Sequence, residues 1–286
     1  MKVNGYEIEP YANLSGANLN NSDLNNAKLT DADLTEANLS GADLTEANLT
    51  RAFLKNADLT GADLTGANLT FADITGANLF NANLRGAILI EANLTEADLS
   101  GERMPDADLT RADLTRANLK GAHLNDANLR MVNLTAANLR GANLDGANLN
   151  VANLFNANLR GAMLTDANLT FADLTGADLT EARLTRADLS FANLTGADLY
   201  CAILKDAWLI GADLYVASLY GANLTDAKLS FADLTDAHLI KANLSGADLT
   251  EARLTRANLT DAKLHGANLT RADLSGATMP DGTIHQ

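Results

Sequence analysis

The chain has 286 residues, a formal net charge of −15 and an isoelectric point near 4.5. With 21 Lys and Arg against 36 Asp and Glu it lacks the clustered cations that phosphate neutralisation needs, so no direct nucleic-acid binding is expected. The charge is uneven: residues 1–100 hold 5 basic and 14 acidic residues, residues 101–160 hold 7 and 6, and residues 161–286 hold 9 and 16. A uniformly acidic, DNA-like surface does not follow from that distribution. The single cysteine, Cys201, excludes an intrachain disulfide framework. Residues 1–10 lack the apolar core of a secretion signal and no apolar run reaches membrane-spanning length. A soluble, cytoplasmic protein without a membrane partner is expected.

Residues 1–11 stand outside the pattern that follows, and Tyr6, Ile8, Pro10 and Tyr11 suit an N-terminal cap over an apolar end. From Ala12 a five-residue pattern takes over and runs to residue 278. Counting from Leu14, every fifth residue through Leu274 is Leu except Ile74 and Met104. The residue two before each centre is Ala except Ser22, Glu102 and Val132. Ala and Leu flank an Asn or Asp, which is the in-out-in alternation of a short extended segment, and the next two residues turn a corner. An α-helix is excluded, because a spacing of five advances by about 500° and scatters the leucines around the axis.

A second period of twenty lies inside the first. Phe71, Phe171, Phe191 and Phe231 fall in one corner column, and Gly41, Gly61, Gly101, Gly121, Gly141, Gly161 and Gly221 in another. Four five-residue sides per coil follow, giving a solenoid of about 13 coils and on the order of 60 Å at the usual strand spacing. A charge at an inward position would sit unpaired in a dry core, and Glu102 is the one residue that breaks this rule.

Glu102 belongs to the irregular stretch Gly101-Glu102-Arg103-Met104-Pro105-Asp106. It reads either as a former terminus left by the fusion of two repeat blocks, now a bulge or kink, or as drift at a tolerated corner. Phe71 and Phe191, Phe80 and Tyr200, Ile88 and Trp208, and Ile90 and Ile210 match at an offset of six coils, which supports duplication. At residues 279–286 the pattern stops at Pro280 and Gly282, and Met279 and Ile284 suit a C-terminal cap over the last leucines.

This pattern resembles the pentapeptide repeat family, and its Ala-Asp/Asn-Leu style resembles the cyanobacterial branch. The ending Met279-Pro280-Asp281-Gly282-Thr283-Ile284-His285 is similar to the C-terminus of a member that regulates heterocyst differentiation. The resemblance implies an all-β fold, a right-handed quadrilateral parallel β-helix with the centre and the preceding Ala inside. It also brings a second functional class, the gyrase-protecting members that act as acidic DNA mimics on a topoisomerase. The uneven charge and the missing helical dimerisation tail weigh against that class here.

No catalytic constellation is visible. His123, His238, His265 and His285 fall at scattered outward positions and Cys201 has no His partner at a fixed spacing, so no enzyme, cofactor or metal is expected. The informative residues are the outward positions that depart from the consensus. Met131, Val151, Phe171 and Phe191 share one corner column and read either as partner contacts or as shields for the backbone. Tyr200, Tyr220 and Ile240 share another, with Ile203 round the corner and Trp208 and Ile210 on the following face. Apolar patches rich in Tyr and Trp mark partner surfaces, so these six residues are the expected protein-interaction site. Lys120, Arg140 and Arg160 lie in the column of Tyr200 and suit an acidic partner. The expected function is a non-enzymatic scaffold for a protein partner, as a monomer or a weak homo-oligomer.

Overall fold

The computed structural model describes residues 1–286, which form two compact units, Met1–Asn143 and Leu144–Gln286. Within each unit the outward residue of one side bridges in parallel to the residue twenty positions on, as in Asn13 to Asp33 to Phe53 and Arg183 to Ile203 to Asn223. Twenty residues therefore make one coil of four sides. Every centre from Leu14 to Leu259 is at most 2% exposed, and the alanines between them are buried as well. Each buried leucine contributes roughly 1.5–3 kcal/mol of transfer free energy, so the stacked leucines are the main stabilising term.

The unit from Ala32 to Glu36 shows how the backbone is satisfied. The Ala32 amide closes a turn on Leu29, Asp33 donates to Ala12 on the preceding coil, and Leu34 and Glu36 donate to Phe53 and Lys55 on the next. The remaining amide, that of Thr35, donates to Asp33 Oδ1 at 3.0 Å. All five amides are thereby paired, as a buried ladder requires. The outward Asn or Asp is thus the cap of its own corner, a role the sequence reading did not assign. The stacked Asp43 and Asp63 accept the amides of Thr45 and Thr65 in the same way. The Thr45 hydroxyl and amide together hold the Asp43 carboxyl below the usual carboxylate range.

Each corner is a β-turn whose third residue has positive φ, the type II signature. Glycine fills it at Gly121 (φ 67°), but Glu36, Phe191 and Val216 adopt φ of 57°, 59° and 51°. The inter-coil hydrogen bonds hold these residues in a conformation that costs an L-residue about 1–2 kcal/mol. Val151 and Val216 are the most strained by type, because both are β-branched.

At the N-terminus, β1 (Lys2–Val3) and β2 (Tyr6–Glu7) form an antiparallel hairpin across Asn4-Gly5, both with positive φ. Asn-Gly is the preferred pair for such a two-residue turn, a signal present in the sequence but not read there. The Asn4 side chain donates to the Asn18 carbonyl and to Ser22 Oγ, which seats the hairpin on the first coil. Ile8 is buried, whereas Tyr11 is 74% exposed. At the other end Thr278 bridges Ile284, yet Ile284 is exposed and Leu264, Leu269 and Leu274 remain half-buried. The C-terminal segment pairs with the ladder and leaves the last leucines partly exposed.

Residues 101–106 form neither bulge nor kink. Arg103 bridges Asn83 and His123 in register, and Met104 donates to His123. Glu102 stays inside, fully buried, with Oε1 accepting the Ala82 amide at 3.0 Å and Oε2 without a partner. Burial pushes its carboxyl up to about 9, so it is a neutral acid at pH 7 rather than the unpaired charge the sequence suggested.

Two stability measurements follow from these geometries. Val216→Asn, a residue the repeat itself uses at Asn26 and Asn156, relieves the corner and raises stability by about 1 kcal/mol, read as a higher Tm. For Glu102 the folded value of about 9 lies above the ordinary 4.5, so its stabilising contribution is complete below about pH 4.5 and is lost progressively up to about pH 9. The Tm advantage of Glu102→Ala over the parent should therefore widen from about pH 5 to about pH 9 and then level off. A constant offset across that range would show that Glu102 does not titrate as described.

Candidate protein-interaction surface

The six residues expected to form one site fall on two surfaces. Tyr200, Tyr220 and Ile240 follow one another at intervals of twenty along a single corner. The rings of Tyr200 and Tyr220 stack at 5.4 Å with planes 9° apart. Lys241 Nζ lies 5.6 Å from the centre of the Tyr220 ring, and the Tyr220 hydroxyl beside it holds the ammonium above its usual range. Ile203, bridged between Arg183 and Asn223, sits on the adjoining face and is exposed. These four residues, with exposed Cys201 between them, make a continuous corner patch.

Trp208 is bridged between Asp188 and Lys228, one face further round, and is 53% exposed. Ile210 lies on the next corner, ten residues or half a coil from Tyr200, and is half-buried. The chain therefore brings Trp208 and Ile210 toward the Phe column rather than toward the tyrosines. In that column Phe171 and Phe191 stack at 5.3 Å and 10°. The Phe191 ring also lies over Gly211, where an added Cβ would come within 2.8 Å of it. The phenylalanines thus shield the backbone of the next coil while leaving more than half of each side chain in water.

Charge is ordered by the same period. Arg51, Arg186 and Arg256 each pair with an aspartate twenty residues earlier, Asp31, Asp166 and Asp236, and their guanidinium groups hold those carboxyls below the usual range. Such exposed pairs contribute little to stability individually, but they neutralise acids that would otherwise stack on the surface. No three His, Cys, Asp or Glu side chains gather as a metal site, and no helix is long and apolar enough to cross a membrane.

Two of the six residues carry a signal beyond exposure. Ile203 and Trp208 occupy the capping position and have no side-chain acceptor for the amides of Lys205 and Ile210, whereas Asp213 caps Tyr215 at 2.9 Å. A consensus-breaking residue at this position therefore costs a hydrogen bond of about 0.5–1.5 kcal/mol. Trp208→Asn is expected to raise stability by about 1 kcal/mol, and Asp213→Ala to lower it similarly, in chemical denaturation. Equal stability of Trp208→Asn and parent would mean that water caps Ile210 equally well.

The family model for pentapeptide repeats (8 copies) matches residues 12–130, 133–215 and 217–276 in overlapping segments. Among solved structures the chain is similar to HetL, a pentapeptide repeat protein involved in heterocyst differentiation regulation in the cyanobacterium Nostoc sp. strain PCC 7120. The identity is 40% over 82% of this chain and 92% of that one, with a TM-score of 0.41. It is also similar to QnrB1, a plasmid-mediated fluoroquinolone resistance protein, at 20% identity over 65% and 89% of the two chains and a TM-score of 0.44. A pentapeptide repeat protein from the Arabidopsis thaliana thylakoid lumen matches at 32% identity over 36% and 69%, with a TM-score of 0.24. No curated protein sequence matches. The family model covers most of the chain and the parallel bridges recur every twenty residues, as the right-handed quadrilateral β-helix of that family requires, so the chain belongs to the pentapeptide repeat family.

Proposed function

We propose that the chain is a non-enzymatic, cytoplasmic protein-interaction scaffold whose principal contact is the corner formed by Tyr200, Tyr220, Ile240 and Ile203. Trp208 and Ile210 form a second contact on the far side of the coil. The carrying observation is the stacked, solvent-facing Tyr200–Tyr220 pair, which places two binding-prone aromatics at a position the repeat normally fills with Thr. Ile203 and Trp208 strengthen the reading, since each replaces a capping residue and leaves more than a third of its surface in water. The partner is a protein with an apolar patch of matching width.

A DNA-mimicking role on a topoisomerase is the weaker reading. Many of the carboxylates such mimicry would need accept corner amides or pair with arginine one coil on, and residues 101–160 have no acidic excess. The test replaces the corner with the residues the repeat prefers: Tyr200→Thr, Tyr220→Thr, Ile240→Thr and Ile203→Asn in one variant, Trp208→Asn and Ile210→Thr in another. In affinity capture from the source cell, the first variant is expected to lose the main partner at least fivefold. Unchanged capture by both variants would falsify the assignment of these surfaces.

A further inference from the structure

We propose that the first unit carries a separate binding site for a short acidic peptide segment of a partner protein, held in a cleft along one corner. The cleft is an open groove of about 530 Å³ built by two neighbouring columns. One contributes Phe80, Lys120 and Arg140; the other contributes Gly101, Gly121 and Gly141.

The glycines make the floor. At Gly121 and Gly141 an added Cβ would meet nothing within 4 Å, so the floor is open space bounded by bare backbone. The same corner position elsewhere carries Phe191, Glu36 or Arg51, any of which would fill it. In the Ala32–Glu36 unit the Glu36 carbonyl is the one that accepts no ladder hydrogen bond, and the equivalent glycine carbonyls on the floor are likewise uncommitted acceptors for peptide amides. Phe80, 44% exposed, closes one end with an apolar wall.

The cations give the cleft its sign. Arg51, Arg111 and Arg116 in this unit each pair with an acid twenty residues earlier, at Asp31, Glu91 and Glu96. Lys120 and Arg140 have no such acid: the residues one coil before them are Ser100 and Lys120 itself. Two like charges therefore sit on adjacent coils, roughly 4.8 Å apart at the backbone, an arrangement that is unfavourable until an anion lies between them. A molecule of net charge −15 repels long polyanions, which leaves a short segment with a carboxylate for Lys120 and Arg140 and an apolar side chain for Phe80 as the fitting occupant. The cleft size is that of a small-ligand site.

The experiment is fluorescence anisotropy on the full chain with fluorescein-labelled Glu-Asp-Phe-Glu peptide amide, against its Gln-Asn-Phe-Gln counterpart. Lys120→Thr with Arg140→Thr installs the residue found at Thr60 in the same column, and Gly121→Phe fills the floor as Phe191 does at another corner, so both variants keep the repeat. Arg130→Thr removes a cation on a different corner as a control. The acidic peptide is expected to bind the parent and Arg130→Thr equally, with affinity reduced at least tenfold in both cleft variants and no saturable binding of the amide peptide. No saturable binding of the acidic peptide, equal binding of the two peptides, or equal loss in Arg130→Thr overturns the proposal. So does a DNA duplex that displaces the peptide and binds more tightly, which would make the cleft a general polyanion site. Failure of this site leaves the tyrosine corner untouched, because the two use different residues and different units.

Discussion

The structure depends on pairing the amide that follows each central leucine. Neighbouring coils satisfy the amides of the outward, central and positive-φ residues, and the turn satisfies the amide of the inward Ala. The fifth has no backbone acceptor within reach, and the outward Asn or Asp supplies one, as Asp33 does for Thr35 and Asn193 for Thr195. Side-chain capping of this kind is ordinary in Asx turns; here it recurs at nearly every corner and explains why the outward position is so uniform. The Asn and Asp ladders also join coil to coil, as where Asn128 donates to Asp108 and Asn133 to Asp113.

Because the ladder holds the corner, the corner residue is free in chemistry though not in conformation. A lone type II turn would demand glycine, yet here Phe171, Arg186 and Glu181 hold positive φ between paired coils. That freedom places large or charged side chains on edges where they face solvent and stack at the coil spacing. Side-chain variety is consequently confined to corners and to the few faces that forgo the cap, such as Ile203 and Trp208, without altering the buried leucines and alanines.

Glu102 shows how firmly the ladder enforces position. A carboxyl in place of the small inward Ala neither swings outward nor breaks register; it remains buried, accepts the Ala82 amide and gives up its charge. Neutralising the acid costs less than rebuilding a coil, since rebuilding would expose leucines and unpair several amides together.

The sequence alone determined the architecture, because a strict Ala-x-Leu spacing of five with a bias of twenty admits only a four-sided coil whose core is chosen by which side chains can leave water. It also located the consensus-breaking residues, Tyr200, Trp208 and their neighbours. It did not determine which of them act together, since residues five and ten apart lie on different faces and only the register of coils shows that Tyr200 and Tyr220 stack while Ile210 sits half a coil away. Nor did it reveal the capping role of Asn and Asp, the hairpin at Asn4-Gly5, the neutral state of Glu102 or the cleft over Gly121. Those depend on where amides, rings and empty space meet between residues one coil apart, which only the tertiary structure decides.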